Sequence, residues 1–219
     1  MIFLLVASTV KEISPFLEYY RDTKNQVRDD LHIDILITGI GLTASAYTIT
    51  KQLHIRKPDL ILQAGIGGCF DKNIPLGTVL AIKQEAIGDQ VVKELGKMKT
   101  LQDLKLVLPD QFPFAKGWLV NKSEVLKKIK LKKVKGITIN EITTSKQKIK
   151  FYKDTFDPLV ETMEGAALHY VCLMEKIQFL QIRGMSNYIG VRNKKKWKIK
   201  NSVINLNAEL IKIFKTLNT

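Results

Sequence analysis

The chain has 219 residues, 45% hydrophobic and 26% charged, which suits one α/β domain over residues 1–219 with a full core and no disulfide or metal staples. No run approaches the ~18 consecutive apolar residues of a membrane span, and the opening MIFLLVASTVKEI lacks the basic segment of a signal peptide, so a buried first strand in a cytoplasmic protein is expected. The net charge of +14 raises nucleic acid as a partner. The lysines, however, cluster at residues 127–135, 146–153 and 194–200 without interleaved aromatic residues. A base-stacking platform would need such residues. A solvated basic surface, or steering of an anionic substrate, is the expected role, and neither nucleic acid nor membrane is an expected partner. Cys69 and Cys172 form no CxxC, and His32, His54 and His169 share no ligand spacing, so no metal is expected and two reduced thiols are. His169 reads as a packing or interface residue.

In chain order, residues 2–7 form an apolar strand of the kind buried on both faces. Ser8 and Thr9 end it, and Glu12 falls just past its carboxyl end, ahead of a helix near residues 13–21. A second strand, residues 34–38, turns through Gly39-Ile40-Gly41 into a helix at 43–53. That GxG reads either as a tight turn or as backbone N–H groups facing a polar ligand. A third strand, 59–64, runs into Gly65, Gly67 and Gly68, a predicted loop where backbone can approach a ligand closely. Pro75-Leu76-Gly77 then turns into a strand at 78–82. Residues 88–114 lack clear periodicity and are expected to be a surface excursion.

A short strand at 118–121 leads into a helix capped by Ser123. Residues 136–142 alternate apolar and polar side chains, and Thr143-Thr144-Ser145 caps a helix reaching Tyr152. Met163 and Glu164 open a small-residue helix at 165–175. The strand after it, 179–182, should deliver Arg183, Ser186 and Asn187 at its carboxyl end. A basic loop leads through Trp197 to an amphipathic helix at 202–217. A carboxylate at a helix start beside a polar strand end is how α/β proteins assemble a crevice.

The succession of strand–GIG–helix, PDLILQAGIGG, VETMEGAA and FLQIRGMSN resembles the nucleoside phosphorylase and nucleosidase superfamily over essentially the whole chain, least closely at residues 88–135. NEITTS, VETMEGAALHYVC and QIRGMSNYIGVR look most like its futalosine hydrolase family. The resemblance implies a mixed, twisted central β-sheet flanked by helices. It also implies a homo-oligomer, with an interface near Phe70 or the His169 helix, and an enzyme of menaquinone biosynthesis. Such an enzyme cleaves the N-glycosidic bond of futalosine with water, releasing hypoxanthine without a cofactor.

By the same resemblance, Met163 and Glu164 hold the ribose, Glu12 activates water, and Arg183 orients the water or Glu12. Ser186 orients Asn187, which binds the leaving base. Gly65, Ile66, Gly67 and Thr144 line the substrate site, with Trp197 or Phe70 available for stacking. Arg192, or a lysine at 194–196, would attract the benzoate of futalosine. Phosphorylases of the superfamily carry an arginine and a hydroxyl where this chain has Gln63 and Ile66. Neither replacement balances a phosphate dianion, and this argues for water. An Asn rather than an Asp at 187 favours a 6-oxopurine, because an amide can donate to the 6-oxo group. A purine nucleoside phosphorylase or an adenine-releasing nucleosidase is the alternative.

Overall fold

The computed structural model describes residues 1–218. Strand β1 (Ile2–Ala7) is buried over residues 3–7. Its alternate side chains enter two different cores. Phe3, Leu5 and Ala7 pack in the cluster that includes Phe16 of α1 (Val10–Thr23) and Leu206, Leu210 and Phe214 of α6 (Ile199–Leu217). Leu4 and Val6 pack with Ile49 of α2 (Leu42–Ile55) and Leu168, Val171 and Cys172 of α5 (Gly165–Met174). Helices therefore cover both faces, and an unbroken apolar strand results where a half-solvated one would alternate.

The expected mixed α/β sheet is present. Strand β1 lies between β2 (His32–Ile37) and β3 (Leu60–Cys69), parallel to both. Strand β10 (Gln178–Tyr188) runs parallel to β3 and antiparallel to β4 (Val79–Ile87). Next to β4 come β8 (Lys133–Thr138), then β9 (Val160–Thr162), which pairs back onto β3. The sheet thus closes on itself through β3, β10, β4, β8 and β9, with β1 and β2 as a wing. Strands β5 (Val91–Glu94) and β6 (Lys97–Thr100) form a separate hairpin inside the predicted surface excursion. Strand β7 (Leu119–Val120) borders β4, and two short helices, α3 (Glu124–Lys128) and α4 (Lys146–Phe156), connect the remaining strands.

Two strands run longer than predicted. The stretch Gly65–Gly68 is not a loop: β3 continues through it to Cys69, paired with β10 along its length. None of these glycines has a positive φ. Glycine is required there by crowding. A Cβ on Gly65 would stand 2.4 Å from Arg183 Nη1, and one on Gly67 would stand 3.0 Å from the Glu161 carbonyl oxygen. Likewise β10 extends to Tyr188, so Arg183, Ser186 and Asn187 lie within the strand rather than beyond its end. Ser123 begins α3, but its hydroxyl accepts the Phe179 N–H instead of capping the helix.

The length of β3 creates a fork. Strand β10 occupies one edge throughout, so β1 and β9 must share the other. Strand β1 pairs with residues 60–63 and β9 with Gly68 and Cys69. Between them the backbone of residues 64–67 has no strand neighbour on that edge, and the site is built there.

Helix α6 is docked on α1 by an aromatic group in which Phe214 meets Phe16 edge-on at 5.5 Å between ring centres and lies 6.1 Å from Tyr20. Phe214→Ala should lower stability by about 3–5 kcal/mol, as full removal of a buried ring does. Urea unfolding of the variant measures this, and an unchanged midpoint would show that α6 is held by other contacts.

Candidate active site

The fork opens into a cavity of about 510 Å³. Ser8, Thr9, Lys11 and Glu12 enter it from the end of β1 and the start of α1, and Ile40 from the turn before α2. Ile66, Gly67 and Gly68 form its wall on β3. Glu161, Thr162, Met163 and Glu164 come from β9 and the start of α5, Ser186 and Asn187 from β10, and Trp197, Ile199 and Val203 from the approach to α6. Seven of the ten predicted site residues therefore line one cavity: Glu12, Ile66, Gly67, Met163, Glu164, Ser186 and Asn187.

Glu12 sits in the first turn of α1 rather than ahead of the helix. Its Oε2 accepts from the Thr9 N–H at 3.0 Å and from the Thr9 hydroxyl at 3.1 Å. Its Oε1 accepts from the Ile66 N–H at 3.0 Å. That N–H lies in the fork, so the carboxylate replaces the missing strand. Pro15, which lacks an N–H, weakens this turn of α1. Asn207 of α6 mends it: Phe16 N–H donates to its Oδ1 at 3.0 Å, and its Nδ2 donates to the Glu12 carbonyl at 2.8 Å. Asn207 is 1% exposed and stands far from Glu12 in sequence, with no motif to mark it.

Glu164 starts α5, yet its carboxylate does not cap that helix. Oε1 accepts from the Gly41 N–H at 3.1 Å, and Oε2 pairs with Arg183 Nη1 at 3.5 Å. Gly41 has φ +99°, open to glycine, and this aims its N–H at the carboxylate rather than at a ligand. The Ser186 hydroxyl faces two acceptors, Asn187 Oδ1 at 2.9 Å and the Gly67 carbonyl at 3.2 Å, and the Asn187 amide Nδ2 makes only a 3.4 Å contact to the Tyr188 carbonyl.

Three expected site residues do not line the cavity. Arg183, on β10, is 1% exposed, donating to Gln63 Oε1 at 2.7 Å and pairing with Glu164. Gly65 lies between Arg183 Nη1 and Glu12 Oε1, 2.9 Å from the latter by its absent Cβ, and keeps room for both. Thr144 is exposed and outside the cavity, because the backbone turns so that Ile142 lines the cavity and Thr143 is buried. Of the two aromatic candidates, Trp197 lines the cavity, and Phe70 is buried in another core cluster. Arg192 lies 5.7 Å above the Trp197 ring, a cation–π contact at the rim. His169 is fully buried, its Nδ1 2.9 Å from the Leu119 carbonyl, and burial lowers its pKa to about 4. The outward face of its helix instead carries Tyr170 and Met174, 41% and 45% exposed. Among the described residues no group of three His, Cys, Asp or Glu could hold a metal, and no helix is long and apolar enough to cross a membrane.

Glu161 was invisible to motif reading. It lines the cavity on β9 at 7% exposure, and Oε2 has no hydrogen-bond partner among the described residues; nor has the Thr143 hydroxyl. Burial raises its pKa to about 7, although the nearby Thr143 hydroxyl and backbone favour the charge. The folded protein therefore keeps a proton that the unfolded chain releases from about pH 4.5 upward, so stability falls as pH rises through that window. Glu85, raised to about 7 by burial, acts in the same sense, whereas His169 acts in the opposite one. Glu161→Gln removes one such proton. Its stability relative to the native protein should grow between about pH 5 and about pH 7.5 in urea unfolding; a constant difference would place the Glu161 charge in water.

The model of the phosphorylase superfamily matches residues 5–217. The chain is 25% identical over 173 residues to futalosine hydrolase of Thermus thermophilus, covering 77% of this chain and 75% of that protein. It is 24% identical over 167 residues to 5'-methylthioadenosine/S-adenosylhomocysteine nucleosidase of Buchnera aphidicola, covering 72% and 67%. Among solved structures, the methylthioadenosine/adenosylhomocysteine nucleosidase of Helicobacter pylori superposes with a TM-score of 0.79 at 16% identity, covering 99% of this chain and 98% of that one. Futalosine hydrolase of Helicobacter pylori superposes with a TM-score of 0.78 at 17% identity and the same coverage. With the family model spanning nearly its whole length, the chain belongs to the phosphorylase superfamily.

Proposed function

We propose that this protein is a nucleosidase that cleaves the N-glycosidic bond of futalosine with water, releasing hypoxanthine. The observation that carries the 6-oxopurine reading is Asn187. With the Ser186 proton on Oδ1 rather than on the Gly67 carbonyl, the amide presents its NH2 group on the other side, where its one contact is long. An NH2 group can donate to a 6-oxo oxygen, and the second lone pair on Oδ1 can accept from a protonated ring nitrogen. An ionised aspartate could not make the first of these bonds. Relatives of both specificities support nucleosidase chemistry, and Asn187 favours futalosine over an adenine nucleoside.

The other roles follow from the same cavity. Glu164 has a lone pair free on each oxygen after Gly41 and Arg183 are served. It can accept ribose hydroxyls and put negative charge beside the oxocarbenium-like centre. Met163 packs on the sugar. Glu12, with donors on both oxygens, is the general base for water. Gln63 stands outside the cavity lining with its Oε1 held by Arg183, and Ile66 is apolar, so neither side chain brings positive charge to a phosphate dianion, which supports water as the nucleophile. Lys11 in the cavity wall and Arg192 at the rim supply positive charge for the benzoate carboxylate of futalosine. The exposed face formed by Tyr47, Tyr170 and Met174 is suited to a homo-oligomer.

Purified protein incubated with futalosine in phosphate-free buffer should release hypoxanthine, and Glu12→Gln should lower kcat by roughly 10²–10⁴-fold. Turnover that requires added phosphate would overturn hydrolysis, and turnover of methylthioadenosine in preference to futalosine would overturn the substrate. Asn187→Asp should lower kcat/KM for futalosine by about tenfold or more, since a buried acceptor then faces the 6-oxo group. An equal effect on an adenine nucleoside would remove Asn187 as the discriminating residue.

A further inference from the structure

Behind the cavity lies a polar network that none of the assigned roles uses. At its centre is Glu85 on β4, fully buried at 0% exposure. The Thr138 and Thr162 hydroxyls donate to its Oε1 at 2.9 and 3.0 Å. Those hydroxyls in turn accept the first N–H groups of α5: Gly165 N–H donates to Thr162 at 3.1 Å and Ala166 N–H to Thr138 at 2.7 Å. A helix start leaves such N–H groups without backbone partners, and here the carboxylate satisfies them one step removed. With its amide oriented to suit all its neighbours, Gln181 donates to Glu85 Oε2 at 3.3 Å and to His169 Nε2 at 2.8 Å, and accepts from Arg183 Nε at 3.2 Å.

Two glycines keep the space clear. A Cβ on Gly136 would stand 2.5 Å from Glu85 Oε2. One on Gly165 would stand 2.5 Å from the Gln181 amide and 2.7 Å from the Glu85 carboxyl. Burying a carboxyl this completely is costly unless donors surround it. Burial pushes its pKa up to about 7 even so. The network ends on both supports of one residue. Glu164 projects from the turn that Thr138 and Thr162 anchor, and its carboxylate pairs with the arginine that Gln181 holds.

We propose that Glu85 is a positioning residue for Glu164, fixing the start of α5 through Thr138 and Thr162 and the Arg183 guanidinium through Gln181. The inference rests on the ribose-binding role given to Glu164 above. Glu85→Gln tests it. A glutamine keeps the volume and can still accept from both threonines, but it turns an NH2 group toward Gln181. That amide must then rotate, setting its own NH2 against Arg183 Nε, donor against donor.

In a crystal structure of Glu85→Gln, Glu164 should lose its contact to Arg183 or to the Gly41 N–H. kcat on the nucleoside should fall roughly 10–100-fold, the usual cost of a group displaced by about an ångström, with KM nearly unchanged. In a Glu164→Gln background the same substitution should change kcat less than about twofold, because coupled sites are not additive. Glu164 retaining both contacts, or effects of the two substitutions that multiply, would overturn the proposal. If Glu85→Gln does not fold, isosteric Thr162→Val removes one arm and gives the same readouts. A native enzyme inert on every nucleoside would sink the proposed activity, and the crystal structure would still decide the positioning role of Glu85.

Discussion

The site depends on one edge of one strand. Strand β3 is too long for β1 alone, so its outer edge is paired by β1 at residues 60–63 and by β9 at Gly68 and Cys69. The backbone between them must find other partners, because an unpaired buried N–H costs about as much as a lost hydrogen bond. Glu12 meets that demand at Ile66 and is thereby placed at the cavity wall. The same splaying of β1 and β9 brings the turns after them, with Glu12 on one side and Glu164 on the other, to opposite sides of the opening. The glycines of β3 admit the crowded groups behind it. A side chain at Gly65 would collide with Arg183 and Glu12 together.

Buried charge is the second constraint. Glu164 and Arg183, paired beside a Glu85 whose pKa burial raises to about 7, are almost wholly withdrawn from water. Desolvating them costs several kcal/mol per ion before pairing offsets it. A buried ion pair often adds no stability over well-packed apolar residues. What this pair gives is orientation. The Glu164 carboxylate in the cavity wall has fixed supports, a backbone N–H on one oxygen and a guanidinium on the other. Asn207 does for Glu12 what Thr138 and Thr162 do for Glu164, holding the backbone that carries the carboxylate.

Much of the fold was legible because its signals are local. The apolar run of β1, the GIG turn before α2 and the amphipathic pattern of α6 each follow from a few adjacent residues, and each lies close to where it was expected. Gly65–Gly68 departs from its local signal for the same reason. Locally, a glycine cluster means a turn, and only the arginine and carboxylate packed against it explain a strand there. Thr144 failed as a site residue because a one-position difference in a connecting turn decides which side chain is exposed, and no periodicity records that.

The sequence by itself determined the family, the helix-starting Met163-Glu164 step, the polar run through Ser186 and Asn187, and the neutral amide at 187 on which the proposed substrate rests. These are properties of residue type and short spacing. Tertiary structure alone decided that Arg183 is buried against Gln63 and Glu164, that Glu161 joins the cavity, and that Glu85 and Asn207 support carboxylates far from them in the chain. Those roles arise from strand pairing and helix docking. A carboxyl on β4 meets the start of α5 only after β8 and β9 have brought Thr138 and Thr162 between them.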